Sequence, residues 1–333
     1  MAFIPGTPLA LITERKGKLK LWQEGGEVRD VAGVPEVAYG GQGGLGDIVL
    51  APDFATSNMV YLSWAEPGDE AGTRGGAVGT ARLVTEGAPR LEGLKVIWRQ
   101  QPKVTGQGHY SHRIAFSPDG KYLFVASGDR QKMTPAQELT GNLGKIVRLL
   151  PDGTPAPGNP FAEKGGLAAQ FWSIGHRNIL GLAFDGEGRL WDLEHGPAGG
   201  DELNLVKPGQ NYGWPVVSDG DHYDGRKIPR HATRPDFAAP AISWNPVIAP
   251  GDFIFYKGDA FAKWRGQAVI AAMQPAAIVR VSITGEKASE IARHPMEHRI
   301  REIVEREDGS IWLLEDGKEQ GAGRLLILSP SKG

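Results

Sequence analysis

The stretch Phe116-Ser117-Pro118-Asp119-Gly120-Lys121-Tyr122-Leu123-Phe124-Val125 reads as an apolar strand, a Pro-Asp-Gly reversal and a second apolar strand. Glycine takes positive φ without a Cβ clash, so Asp-Gly suits the reversal. The design recurs. Val49-Leu50-Ala51-Pro52-Asp53-Phe54 precedes Val60-Tyr61-Leu62-Ser63-Trp64, Leu182-Ala183-Phe184-Asp185-Gly186 precedes Arg189-Leu190-Trp191-Asp192-Leu193, and residues 303–309 precede Ile311-Trp312-Leu313-Leu314. Asp53, Asp119 and Asp185 follow one another at about 66 residues. The gap from Asp185 to Asp308 is about twice that and holds one more unit, residues 255–259 followed by 268–271. A first unit fits Leu9-Ala10-Leu11-Ile12-Thr13 with Lys18-Leu19-Lys20-Leu21-Trp22. About six units of roughly 50–65 residues, each built of short strands, indicate a propeller.

The fold expected is therefore all-β: a six-bladed β-propeller with four-stranded antiparallel blades, forming one domain over residues 1–333. No such sheet buries both faces alone. Packed radially, neighbouring sheets bury one another, and loops gather around a central channel. The competing reading is a β-sandwich with accidental spacing. Helical periodicity is nearly absent, and no stretch reads as a domain linker. Residues 67–72 read as an insertion within a blade.

Composition narrows the partners. Hydrophobic residues make up 40% and charged residues 23% of the 333, enough to bury a sizeable core. The net charge is −2 with no long basic run, which argues against nucleic acid. No apolar run reaches the length of a membrane span. The chain has no cysteine, so disulfides, thiolate chemistry, cysteine-held zinc and attached c-type haem are excluded. Met1-Ala2-Phe3-Ile4-Pro5 lacks the features of a signal peptide. The protein is then either cytoplasmic or a mature chain with a new Met1.

Several motifs bear on chemistry. Gly41-Gln42-Gly43-Gly44-Leu45-Gly46 matches a dinucleotide fingerprint, but Asp47-Ile48-Val49-Leu50 after it reads as a strand where a helix is required. The glycines are read instead as allowing close backbone approach, with Gln42 presented there. His109-Tyr110-Ser111-His112-Arg113 precedes a strand. A two-histidine metal site at that spacing needs a helix, and on a strand the two point to opposite faces. His109 is thus either a site residue or a structural histidine. Gly175-His176-Arg177-Asn178 offers an arginine suited to anions, or an exposed loop. Residues 194–202 mix carboxylates with glycine, the donors calcium prefers, and residues 219–225 share that flavour. Arg299-Ile300-Arg301 puts two arginines on one strand face. Like charges side by side call for an anion between them, unless Glu297 and Glu302 neutralise them on a surface strand.

Together these segments resemble the soluble pyrroloquinoline quinone (PQQ)-dependent glucose and aldose sugar dehydrogenases. The resemblance runs in order through residues 43–54, 109–129, 175–184 and 195–214, and Gly199-Gly200-Asp201-Glu202-Leu203-Asn204 followed by Asn211-Tyr212-Gly213-Trp214-Pro215 is the most specific part. It implies a six-bladed propeller, in agreement with the repeat count. It also implies oxidation of an aldose at its anomeric carbon to a lactone, with His109 as general base, hydride transfer to PQQ and Arg177 stabilising charge that develops on the quinone. Gln42, Asp129, Arg177, Asn178, Gln274, Arg299 and Arg301 align with cofactor and substrate contacts. Gly196 and Pro197 align with the carbonyls that hold the cofactor's calcium, and Glu202 with Tyr212 with a second, structural calcium site. The family usually has lysine or arginine where Gln274 stands.

The partners implied are a small aldose sugar and an external electron acceptor, either a quinone or a redox protein, acting with a monomer or homodimer. The family's usual signal peptide implies a periplasmic or secreted enzyme. Two other functions share the fold: a calcium-dependent lactonase or esterase, against which the Arg299/Arg301 pair argues, and a non-catalytic binding propeller.

Overall fold

The computed structural model describes residues 1–317 and 323–330. The chain divides into two compact units, Met1–Asn178 and Ile179–Gly333. Each holds three consecutive antiparallel meanders. In the first unit, sheet one runs β1 (Ala2–Phe3), β2 (Leu9–Glu14), β3 (Lys18–Gln23) and β4 (Val28–Val31). Sheet two runs β5 (Leu45–Leu50), β6 (Met59–Pro67), β7 (Thr73–Val84) and β8 (Arg90–Arg99), and a short β9 (Val104–Thr105) pairs with β7. Sheet three runs β10 (Ser111–Phe116), β11 (Leu123–Ser127), β12 (Lys145–Leu149) and β13 (Phe171–Ile174).

In the second unit, sheet four runs β14 (Ile179–Phe184), β15 (Leu190–Glu194), β16 (Asp201–Leu205) and β17 (Ile242–Trp244). Sheet five runs β18 (Pro250–Phe255), β19 (Ala268–Ala272), β20 (Ala277–Thr284) and β21 (Lys287–Pro295). Sheet six runs β22 (Ile300–Glu305), β23 (Ile311–Glu315) and β24 (Leu325–Leu328). Six such sheets in chain order make this the expected all-β fold, a six-bladed β-propeller. Two details depart from uniform four-stranded blades. Sheet two carries the extra β9, and sheet six shows three strands among the described residues.

The sequence pattern explains the order of strands. Several second strands have both faces covered by packing and read as continuous apolar runs. Every residue of β11, β15 and β19 is buried. The outermost β21 instead alternates exposed and half-buried residues along its whole length, which blunts an edge that would otherwise invite pairing. The reversal read at residues 117–120 forms as expected. Gly120 has φ +72°, its N–H donates to Ser117 O at 2.8 Å, and the Ser117 N–H donates to Tyr122 O at 2.9 Å. The hairpin at residues 9–22 is β2 with β3, one step later in its sheet than the other five hairpins.

Neighbouring sheets within a unit bury one another. Leu11 and Leu21 of sheet one share a cluster with Leu62 and Trp64 of sheet two, and Tyr61 and Trp98 of sheet two share another with Val125 and Phe171 of sheet three. In the second unit, Trp191 and Leu203 of sheet four pack with Phe253 and Ile270 of sheet five, and Val269 with Ile303 and Leu313 of sheet six.

Candidate active site

In sheets two to six the pairing of the first two strands shifts register at the start of the first strand. The shifts fall between Leu45 and Ile48, Ser111 and Ile114, Ile179 and Gly181, Pro250 and Asp252, and Ile300 and Glu302. A bulge re-aims the side chains beside it. Antiparallel pairing also puts the start of one strand beside the end of its partner. Residues just before a first strand and just after a second strand therefore share one end of the hairpin. Gln42, His109, Asp129, Arg177, Asn178, Gln274 and Arg299 stand near that end of their sheets.

Two glycines make room there. A Cβ on Gly46 would lie 2.7 Å from His112 Cβ, and one on Gly251 would lie 2.4 Å from Arg301 O. Asp47 then accepts the Ile114 N–H at 3.1 Å, and Asp252 accepts the Ile303 N–H at 3.3 Å. Each bulge carboxylate thus stitches its sheet to the next.

In the first unit, His109 stands two residues before β10 and Asp129 two residues after β11. The pair closes through His109 Nδ1 and Asp129 Oδ1 at 2.7 Å, both residues buried. A carboxylate accepts only, so Nδ1 carries the proton and Nε2 keeps its lone pair. Asp129 is itself held by the N–H groups of Gln131 at 2.8 Å and Met133 at 3.3 Å, and its own N–H donates to Arg177 O at 2.9 Å. Gln42 Oε1 accepts the His109 N–H at 2.7 Å, so this glutamine supports the histidine's backbone. The glycine-rich run is followed by β5, in line with the rejection of a nucleotide site. Asn178 Oδ1 accepts the Ser111 N–H at 3.3 Å. Arg177 and Asn178 are buried.

Burial lowers the His109 pKa. The hydrogen bond to Asp129 opposes this, and the charges of Arg177 and Arg130 reinforce it. The imidazole is neutral at neutral pH, as a general base must be. His112 does not join His109 as a metal pair. Its ring stacks on Tyr110, with centroids 5.2 Å apart, and burial drops its pKa to about 3.

In the second unit, Arg299 precedes β22 and Asp316 follows β23. Asp316 accepts Arg299 Nε at 2.9 Å and Arg301 at 3.3 and 3.0 Å. Asp316 is therefore the anion between the two arginines, a role the sequence suggested for Glu297 or Glu302. Glu297 pairs with Arg324 instead, at 3.2 Å. Both side chains remain about two-fifths exposed. The pair suits a further carboxylate from a polyanionic cofactor. Arg299 also meets Met273 Sδ at 3.3 Å, and Gln274 beside it is exposed.

Gly196 opens a tight loop. Its N–H donates to Asp201 Oδ1 at 2.9 Å, and the other Asp201 oxygen accepts the N–H groups of Ile248 and Ala249 at 2.9 and 2.7 Å. Asp201 thereby fixes the turn that carries the Gly196 and Pro197 carbonyls. Glu202 faces Glu194 across β15 and β16, and Asp192 faces Asn204. All four are buried. Burial and the neighbouring carboxylates raise the Glu202 pKa well above its ordinary value. Asn204 Oδ1 has no hydrogen-bond partner among the described residues. His231 Nδ1 lies 3.9 Å from Glu202 Oε1 and its Nε2 lies 3.3 Å from Tyr212 O, so those two oxygens border one imidazole. A cluster of buried carboxylates with an idle amide oxygen fits a divalent cation.

Sheet ends carrying a carboxylate-held neutral histidine, a half-exposed arginine pair and a buried acidic cluster define a β-propeller enzyme. A family model described as Glucose / Sorbosone dehydrogenase matches residues 1–327. The chain is 38% identical over 339 residues to aldose sugar dehydrogenase YliI of Escherichia coli K12, covering 99% of this chain and 89% of that protein. It superposes on a crystal structure of glucose dehydrogenase with a TM-score of 0.93 and 42% identity, covering 99% and 95% of the two chains. The PQQ-bound form of an aldose sugar dehydrogenase from Streptomyces coelicolor gives 0.80 and 27%, over 98% and 92%. The chain belongs to the glucose/sorbosone dehydrogenase family, and it is an oxidoreductase.

Proposed function

We propose that this chain oxidises aldose sugars at the anomeric carbon to lactones, using calcium and PQQ, and passes the electrons to a separate acceptor. The observation that carries the reading is the buried, neutral His109 held by Asp129 with its Nε2 lone pair free of that bond. PQQ, when bound, supplies the two-electron acceptor for the hydride that leaves the anomeric carbon. His109 Nε2 takes the proton of the anomeric hydroxyl. Asp129 holds the ring in the required tautomer and stabilises the imidazolium that results. Gln42 fixes the backbone of His109.

Arg299 and Arg301 would grip cofactor carboxylates. Arg177 would offset negative charge on the reduced quinone, and Asn178 and Gln274 would complete the polar contacts. The Gly196 and Pro197 carbonyls would hold the cofactor's calcium, and Glu202 with Tyr212 O a structural one. Without cysteine, the chain has no ligand for an attached haem or iron–sulfur cluster, so the acceptor is an external quinone or redox protein. The same reading takes residues 1–333 as one propeller domain, acting as a monomer or homodimer, periplasmic or secreted. No helix among the described residues is long and apolar enough to cross a membrane.

The test adds calcium and PQQ to purified apoprotein, then glucose and a redox dye. Dye reduction that disappears in His109→Ala is the expected result. Lactone hydrolysis without quinone, or no quinone binding at all, would refute it.

A further inference from the structure

Two loops meet at His109, and both carry unusual backbone. His109, Ser111 and His112 have φ of 50°, 66° and 74°, and Arg130, Gln131 and Met133 have 56°, 59° and 60°. Non-glycine residues avoid this left-handed region because Cβ approaches the carbonyl oxygen. Six of them in two short segments persist only where surrounding contacts enforce them.

The enforcing contacts converge on one side chain. Arg130 is fully buried. Its Nε donates to Gly108 O at 2.9 Å, Nη1 to Arg74 O at 2.5 Å and Nη2 to Gly106 O at 2.7 Å. Its backbone N–H donates to His109 O at 3.2 Å. The guanidinium lies 3.8 Å from the centroid of the Tyr110 ring, which in turn stacks on His112. The planar fork therefore grips the carbonyls of residues 74, 106 and 108 and packs on the ring at 110, while the Arg130 backbone N–H holds residue 109. Gly128 admits the close approach, since a Cβ there would lie 2.1 Å from His109 O.

We propose that Arg130, seated on Tyr110, is the positioning residue that sets where the His109 imidazole stands relative to Asp129 and the substrate. This rests on the reading of His109 as the base. Arginine suits the task because its donors diverge in one plane toward three carbonyls, whereas an ammonium is a point donor. Asp129 is the residue before Arg130, so the same segment supplies both the ring's partner and the brace for its loop. The charged groups acting on His109 are Asp129, Arg177 and Arg130 itself. Removing Arg130 removes one of the two positive charges, so the imidazole pKa rises.

The experiment uses the full chain loaded with calcium and PQQ. Arg130→Ala, Arg130→Lys, Tyr110→Leu and His109→Asn are compared for kcat, KM for glucose and the pH dependence of kcat/KM. The histidine ring nitrogens of the apoprotein are followed in parallel by 15N NMR. A misplaced catalytic group costs about 100-fold in rate. Arg130→Ala is expected to lose kcat on that scale with KM within about threefold. Arg130→Lys should recover part of it. In Arg130→Ala the acid limb should move to higher pH, and the His109 15N signals should show mixed tautomers. If His109→Asn retains wild-type kcat, the base reading fails. If His109→Asn is inactive while Arg130→Ala keeps wild-type kcat and 15N signals, the positioning role is overturned. Should Arg130→Ala fail to fold, Tyr110→Leu carries the same test, and wild-type kcat there overturns the role.

Discussion

Asp129→Asn separates a carboxylate that works electrostatically from one that merely packs. In the wild type, proton uptake by His109 creates an imidazolium against a buried carboxylate, with Nδ1 and Oδ1 2.7 Å apart. Taking the charge centres as about 4 Å apart and an effective dielectric constant of about 20, the attraction is about 4 kcal/mol. At about 1.4 kcal/mol per decade, its loss lowers kcat by about three orders of magnitude. Asparagine also offers an N–H to Nδ1, which moves the ring proton to Nε2 and removes the base. Asp129 acts through the His109 ring, so KM should stay within a few-fold. Asp129 raises the His109 pKa against burial, so the variant's histidine titrates lower still and is already neutral at pH 7. Raising the pH therefore restores nothing. The assay is dye reduction by the holoenzyme from pH 5 to 9. A kcat within about threefold of wild type, or recovery at alkaline pH, would refute the reasoning.

Three further outcomes are expected. The folded His112 pKa of about 3 lies below its ordinary 6.5, with burial the leading cause and Arg130 and Arg113 adding to it. Its stabilisation is complete above pH 6.5 and is lost as pH falls from there toward 3, at about 1.4 kcal/mol per unit. His112→Phe should flatten the fall of Tm between pH 6 and 4, and an unchanged slope counts against this. Lys145 is buried with its ammonium on the carbonyls of Pro135, Ala136 and Leu143 at 2.8, 3.0 and 2.8 Å. Lys145→Met strips those acceptors and should cost about 2–4 kcal/mol in urea unfolding, whereas an equal midpoint shows the contact to be idle. Calcium should raise the Tm of the apoprotein, and Glu202→Gln should abolish that shift. An identical shift in the variant would move the cation elsewhere.

The fold was legible because each hairpin is local. Ser117, Asp119 and Gly120 close their own turn, and the apolar runs beside them need no distant partner to read as strands. The site was legible only in part. His109, Arg177 and Arg299 lie in motifs whose residue types suggest chemistry; the resemblance assigned them roles and added Asp129. Asp316 was missed because nothing near residue 316 looks like a site. Its function exists only once β22 and β23 pair and bring it to Arg299. Arg130 was missed for a related reason. Its partners are backbone carbonyls at residues 74, 106 and 108, and carbonyls leave no mark in a sequence. Asp192 sits in β15, which reads as an ordinary strand, whereas Glu194 at its end opens the acidic run whose residue types already suggest calcium. Both are buried by tertiary packing, which the strand pattern alone does not reveal.

The pairs His109–Asp129 and Arg299–Asp316 show why the chemistry sits where it does. In each, a residue just before the first strand meets a carboxylate just after the second, beside a bulge in the first strand. The hairpin supplies the geometry, and the side chain before the strand decides the task. Imidazole makes the slot a base, and guanidinium makes it an anion grip. The carboxylate also acts differently in the two places. Buried Asp129 faces a neutral ring and favours its protonation, while part-exposed Asp316 neutralises one of two standing positive charges. Water screens the second pair far more than the first. Asp129 should therefore matter mainly when a proton moves, and Asp316 mainly when an anion binds. A sheet whose slot lacks such a pair, as in sheet two where Gln42 props the neighbouring histidine's backbone, contributes support in place of charge.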